Sequence, residues 1–127
     1  MKVLALDFGS ARTGVAVSDP TGAIARPLCV IERAKVDEIA TLARDQQVDE
    51  IVVGHPLTLK GERGEQARVT ERFAAALRKA VDVPVVLFDE RFTTDLAQQT
   101  PSDTSEDARA AAHLLSGYLE WSAASRR

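Results

Sequence analysis

Residues 3–17, VLALDFGSARTGVAV, constrain the fold more than any other stretch of the chain. Two short apolar runs, Val3-Leu4-Ala5-Leu6 and Val15-Ala16-Val17, flank Phe8-Gly9-Ser10-Ala11-Arg12-Thr13-Gly14. Short apolar runs separated by turn residues predict a β-hairpin. The first run ends in Asp7, a charge where a buried strand has to stop, so a carboxylate stands at the mouth of the hairpin. Gly9 lets the backbone turn tightly or approach a ligand closely. Arg12 places a permanent cation near the carboxylate. Taken alone, Asp7 reads best as an Asx-turn residue closing a strand; what shifts that reading is the rest of the chain.

Asp19-Pro20-Thr21-Gly22 is a turn signal. Ala23 to Ile31 then reads as a third strand, and Pro27 inside it demands an edge or a bulge. The first three strands therefore form an antiparallel meander. From Ala34 to Gln47 the spacing changes: Val36, Ile39, Ala40, Leu42 and Ala43 recur at helical intervals. Ile51-Val52-Val53-Gly54 is a short buried strand, and strand–helix–strand suggests a parallel crossover. After the turn-rich segment from His55 to Gly64, a helix over Glu65 to Val81 presents Ala67, Phe73, Ala74, Leu77 and Val81 as its buried stripe. Pro84 opens a last strand, Val85-Val86-Leu87-Phe88, which ends in Asp89-Glu90-Arg91. A short helix over Arg91 to Thr100, a connector from Pro101 to Ser105 and a final helix from Asp107 to Trp121 complete the order, with Ser122 to Arg127 fraying. The pattern β-β-β-α-β-α-β-α predicts an α/β fold with a five-stranded mixed sheet flanked by helices, and residues 1–127 read as a single domain.

Bulk properties exclude several classes. No apolar run approaches the roughly twenty residues of a membrane helix, and a basic region followed by a long apolar stretch is missing at the N-terminus. A lone cysteine, Cys29, rules out an internal disulfide and suggests a reducing compartment, so a cytoplasmic location is expected. The net charge of −3 argues against a globally basic nucleic-acid coat and leaves room for a local patch. Two histidines are too few for a histidine-built metal site, so any metal is held by carboxylates, which points to Mg²⁺ or Mn²⁺.

Three acids fall at element ends. Asp7 closes the first strand, Glu90 (with Asp89) follows the last, and Asp107 opens the final helix on the face of Ala111 and Leu114. If the first and last strands run the same way, their ends share one edge, and a helix N-terminus can bring Asp107 to meet them. Carboxylates gathered in this way need raised pKa values or a cation. A pair of hard divalent ions about 3.5–4 Å apart activates a water and stabilises a leaving oxygen in phosphodiester hydrolysis. Each acid also has a plainer explanation. Asp107 fits a capping box with Thr104, Glu90 fits a solvated pair with Arg91, and one step of strand register exchanges Glu90 for Asp89. The segment from Gly54 to Gly64 adds an anion-binding hint: it precedes a helix N-terminus, and Lys60 and Arg63 supply cations, with Arg68 and Arg72 beyond. It lacks the Gly-Lys-Ser/Thr of a Walker loop. Thr93 and Thr94 either position a phosphate or cap a helix. His55 and His113 read as structural, and Tyr118 and Trp121 as packing.

Four segments, taken together, carry a resemblance. They are Leu6-Asp7-Phe8-Gly9-x-x-Arg12-x-Gly14-x-Ala16; Val53-Gly54-x-Pro56 running on to Gly61-x-x-Gly64; Asp89-Glu90-Arg91-x-Thr93-Thr94; and Asp107-x-x-Ala110-Ala111-x-x-Leu114-Leu115. In this order they resemble the YqgF (RuvX) family of Holliday junction resolvases and pre-16S rRNA processing nucleases, which have an RNase H-like fold. The resemblance implies a nuclease with a three-acid Mg²⁺ or Mn²⁺ centre at Asp7, Glu90 and Asp107, in a cytoplasmic bacterial protein. Arg12 and the glycine loop (Lys60, Arg63), with Arg91, Thr93 and Thr94, would face a nucleic-acid substrate, either branched DNA or precursor rRNA. Paired cuts would call for a homodimer. The chain departs from the family in a shorter segment between Thr94 and Asp107 and in His55, where an apolar residue is usual. Two other classes compete: a non-catalytic nucleic-acid-binding module, and an ATP-binding phosphotransferase of the actin and sugar-kinase type, whose two closing domains exceed this length.

Overall fold

A computed structural model describes residues 1–58, 60–89 and 106–125. The elements run β1 (Val3–Asp7), β2 (Arg12–Ser18), β3 (Ala25–Glu32), α1 (Val36–Asp45), β4 (Glu50–His55), α2 (Glu65–Ala80), β5 (Val85–Asp89) and α3 (Glu106–Ser125). They build one sheet in the order β3-β2-β1-β4-β5. The β1–β2 and β2–β3 pairs are antiparallel, and β1–β4 and β4–β5 are parallel. The expected meander, crossover and mixed sheet are all present. The expected helix over Arg91 to Thr100, the connector after it and Thr104 of the capping box lie outside the described residues.

Strand alternation divides the core into two layers. Leu4, Leu6, Val15, Val17, Ile51 and Val53 pack beneath α1 and α2 with Ile39, Ala43, Ala74 and Leu77. Val3, Ala5, Ala16, Val52 and Phe88 pack on α3 through Ala111, Leu114, Leu115 and Tyr118. The central strands β1 and β4 are covered on both faces and carry continuous apolar runs, as strands buried on both faces do. Helix α1 adds acids at its start, Asp37 and Glu38, and Arg44 in its last turn, each favourable to the helix dipole.

Pro27 meets both expectations placed on it. Strand β3 is the outer strand, and its register against β2 shifts between Val15 and Ala16, which pair with Cys29 and Pro27. Leu28 is the extra residue of that bulge, so the missing proline N–H interrupts a ladder that is already irregular. At the β2–β3 turn the Asp19 carboxylate accepts the backbone N–H groups of Ala23 and Ile24 at 2.8 Å and the Thr21 hydroxyl. These donors, led by Thr21, hold Asp19 well below the usual carboxylate range.

The end of the chain departs from expectation. Helix α3 runs on to Ser125 rather than fraying from Ser122. Trp121 lies with its ring centroid 6.0 Å from Tyr118 and 5.6 Å from Phe88, and these ring contacts carry the helix past the last buried apolar position.

Two glycines set the geometry of the hairpin. A Cβ on Gly9 would lie 2.5 Å from the Arg12 carbonyl oxygen, so the turn closes over a position that has no side chain. A Cβ on Gly14 would lie 2.0 Å from the carbonyl oxygen of Asp107. Strand β2 therefore touches the first turn of α3 backbone to backbone, and neither side of that contact has a flexible atom to move aside. Gly14→Ala is expected to lower stability by about 2–3 kcal/mol, the usual scale of overpacking, or roughly 10 °C in Tm. Thermal unfolding checks this, and an unchanged Tm would contradict the close approach.

Candidate active site and nucleic-acid interface

The C-terminal ends of β1, β4 and β5, the start of β2 and the end of β3 share one edge of the sheet. Asp7 is the last residue of β1 and pairs directly with Gly14. Residues opposed in an antiparallel pair face the same side, and Asp7 alternates with Val3 and Ala5, which pack on α3. Gly14 in turn lies against the backbone of Asp107. One register pair and one backbone contact thus bring Asp7 and Asp107, a hundred residues apart in sequence, to the same face of the same edge. Arg12 joins them: its Nε lies 3.3 Å from Asp107 Oδ2.

The sequence offers Asp89 and Glu90 as alternatives. In β5, Val86 and Phe88 pack on the α3 side, and Val85 and Leu87 on the other. The alternation puts Asp89 on the α1–α2 face, away from Asp7, where it pairs in register with His55. Glu90, Arg91, Thr93 and Thr94 lie outside the described residues. Among the described residues, no group of three histidine, cysteine, aspartate or glutamate side chains is arranged to hold a metal ion.

The segment between β4 and α2 is a constructed turn. Thr58 and Glu62 exchange contacts: Thr58 N–H donates to the Glu62 carbonyl at 3.0 Å, and Glu62 N–H donates to Thr58 Oγ1 at 3.0 Å. Gly61 N–H closes it on the Thr58 carbonyl at 2.8 Å. Lys60 is exposed at its tip. Arg63 is engaged within the protein: its Nε donates to both oxygens of Glu71, at 2.8 and 3.1 Å, and its terminal nitrogen also meets Glu71. Glu71 Oε2 is in addition 2.6 Å from His55 Nε2. Arg63 and then His55 hold the Glu71 carboxyl down from the ordinary 4.5 to about 2. Glu71 therefore clasps α2 to the end of β4 and to Arg63 in the segment before the helix. Sequence reasoning missed it, since the histidine and glutamate belong to different elements and their sixteen-residue separation has no periodicity to betray it. Arg72 makes only a loose 3.9 Å contact with Glu65. On the same face Phe8 stacks on Phe73 of α2, centroids 4.3 Å apart, which ties the residue after Asp7 to that helix.

The sheet order, with α1 and α2 on one face and α3 on the other, is the architecture of RNase H-like nucleases. Two solved structures share it: Thermus thermophilus RuvC in complex with a Holliday junction substrate, with TM-score 0.63, 15% identity, and coverage of 97% of this chain and 96% of that one; and the Fowlpox virus resolvase in complex with Holliday junction DNA, with TM-score 0.52, 12% identity, and coverage of 99% and 98%. At these identities the likeness concerns the fold. The chain belongs to the RuvX family, described as "Holliday junction resolvase", which it matches over residues 1–121. Curated relatives named "Putative pre-16S rRNA nuclease" include one from Sulfurihydrogenibium sp., 41% identical over 94% of this chain and 90% of the relative. Another, from Desulfitobacterium hafniense, is 37% identical over 95% of this chain and 93% of the relative.

The clasp has a pH signature. A depressed carboxyl pKa contributes stability above the unfolded value and loses it as pH falls toward the folded one. The stability advantage of the native chain over Glu71→Gln is therefore expected to be full at pH 6 and to shrink steadily between about pH 5 and about pH 2. Denaturant titrations across that range check it. A difference independent of pH would mean that Glu71 acts only through its shape.

Proposed function

We propose that this protein is a nuclease hydrolysing phosphodiester bonds in structured nucleic acid, with Asp7, Glu90 and Asp107 as its catalytic acids. The observation that carries this reading is the meeting of Asp7 and Asp107 at the strand-end edge, with Arg12 3.3 Å from Asp107. Asp89 faces the other side of the sheet, which favours Glu90 as the third acid. The donors Asp7 and Asp107 are carboxylate oxygens, with neither cysteine nor a free histidine in the set. That chemistry suits a hard divalent ion such as Mg²⁺ or Mn²⁺. Such an ion, when bound, supplies an activated water and positive charge at the phosphate.

The chain's own residues do the remaining work. The main chain of Asp7 and of Asp107 is positioned by register and backbone contact, so both carboxylates start from set positions before substrate arrives. Arg12, with its side chain 62% exposed, offers a forked donor to a phosphate oxygen beside the acids. The Glu71 clasp fixes the turn that carries Lys60, which faces outward as a point charge for the backbone. Arg63 serves first to hold that turn. Arg91, Thr93 and Thr94 extend the proposed contact surface.

Family membership and the names of the relatives support two substrates, branched DNA and precursor 16S rRNA, which share this phosphodiester chemistry. Resolution of a junction would require a second copy of the chain to make the paired cut. Among the described residues no helix is long and apolar enough to cross a membrane, and the single Cys29 is suited to a reducing cytoplasm.

The test is cleavage of a four-way DNA junction, a DNA flap, single-stranded DNA and RNA, and a pre-16S rRNA leader, each with Mg²⁺ or Mn²⁺. Asp7→Asn, Glu90→Gln and Asp107→Asn are expected to lose cleavage by more than about a hundredfold while keeping most of their affinity for the substrate. Equal cleavage by the native and substituted proteins would sink the assignment.

A further inference from the structure

Arg33 is absent from every motif that marks the site, yet it stands at the same edge. An open cleft of about 550 Å³ is lined by Ala11, Arg12, Glu32 and Arg33. Arg12 and Glu32 are register partners at the end of the β2–β3 ladder. The ladder is extended by one more bond, from Arg33 N–H to the Ala11 carbonyl at 2.9 Å. That bond holds Arg33 at φ 48°, in the left-handed region that favours glycine. A glycine or asparagine would adopt this conformation with less strain. Here it carries a long cation beside Arg12.

The charges around the cleft are unevenly committed. Arg12 faces Asp107. Among the described residues, no carboxylate lies within ion-pair distance of the exposed Arg33 guanidinium. Lys35, also exposed, follows two residues later. Among the described residues Glu32 is the one acid lining the cleft, and its carboxylate opposes an incoming anion. The cleft lining itself carries two guanidiniums against one carboxylate, in a chain whose net charge is −3. A concave, cationic surface of this kind suits an oxyanion, and a guanidinium suits a phosphate in particular.

We infer that Arg33 is a second phosphate anchor, holding the backbone of the nucleic-acid strand beyond the catalytic acids. The inference rests on the nuclease reading. Strand β3 lies two places from β1 in the sheet, which at 4.7–4.9 Å per strand is about 10 Å from the end of β1. That distance corresponds to about three nucleotides at the 3.4 Å axial rise of a duplex strand. Arg33 thus fixes the direction in which the strand leaves the acids, while Arg12 holds the phosphate nearest to them. A contact of this kind reads backbone rather than sequence, and it is the same for DNA and RNA.

The experiment measures binding of a fluorescein-labelled four-way DNA junction and a labelled RNA hairpin by anisotropy. It is run in EDTA to stop cleavage, over a series of salt concentrations. Arg33→Ala is expected to weaken binding about three- to tenfold and to lower the slope of log K against log salt by about 0.9 on duplex. Arg33→Lys should recover most of the slope. Arg33→Gly should melt higher than Arg33→Ala, because it relieves the backbone, while binding no better. Glu32→Gln should bind more tightly than the native chain. If the native protein binds and Arg33→Ala has the same Kd and slope, the anchor is refuted and the nuclease reading stands. If the native protein neither binds nor, with metal, cuts any probe, the nuclease reading falls and the anchor with it.

Discussion

The contact between Gly14 and the backbone of Asp107 is the constraint on which the site depends. Helices usually pack on sheets through side chains, about 10 Å from the sheet plane, with room for those side chains to adjust. Here the first turn of α3 descends until a Cβ would sit 2.0 Å from its carbonyl oxygen. A contact so close fixes both the height and the position of Asp107 along β2. The β1–β2 register then makes Asp7 the neighbour of Gly14. Two carboxylates from opposite ends of the chain are thereby placed by rigid main chain. Side-chain rotation is the only freedom left to them.

The two faces of the sheet divide the work at this edge. The α3 face carries Asp7, Asp107 and Arg12, the ion-pair partner of Asp107. The other face supplies rigidity: Phe8 stacks on Phe73, and Glu71 holds His55 and Arg63. Both serve the residues that follow β1 and β4, whose C-terminal ends lie side by side. In open α/β sheets the ends of parallel strands are where ligands bind, and helices on both sides keep those ends from moving independently. An overall acidic chain can still serve a polyanion when its cations collect at such an edge. Arg12, Arg33, Lys35 and Lys60 do so, in a chain whose overall net charge is −3.

Much of this was legible in the sequence because it follows local rules. Period-two and period-3.6 patterns located the strands and the buried stripes of the helices, and Pro27 announced both the edge and the bulge. The position of Asp107 on the apolar side of α3 was readable as an anomaly worth explaining. What escaped is non-local or depends on register. Alternation sets Asp89 opposite Phe88, but register decides which face of the sheet Phe88 takes, and no composition rule supplies that. The Glu71 clasp joins a strand end to a helix face across a loop, so Arg63 looked like a free cation when it is a strut. Helix α3 outlasts its apolar stripe because Trp121 packs on rings already fixed by the core, a contact invisible to propensity. Arg33 escaped because nothing in a sequence marks a positive φ on an arginine.

The ion pairs of the edge differ in what they can give up. Glu71 is met by two groups at once, one of them a guanidinium lying along both its oxygens, and its carboxyl is held down to about 2 as a result. Removing either partner leaves a half-covered carboxylate and loosens the turn. The Arg12–Asp107 pair is a single contact of 3.3 Å between side chains that are 62% and 39% exposed. Pairs so open to water are worth about 1 kcal/mol or less, so turning Arg12 away from Asp107 costs little beside the charge-assisted bonds that either group forms with an ionic partner. The edge therefore combines a strongly held clasp with a weakly held pair whose two charges part at little cost. Arg33 belongs with the second kind. Among the described residues it has no ion-pair partner to leave, and its cost is already carried by the backbone that holds it at φ 48°.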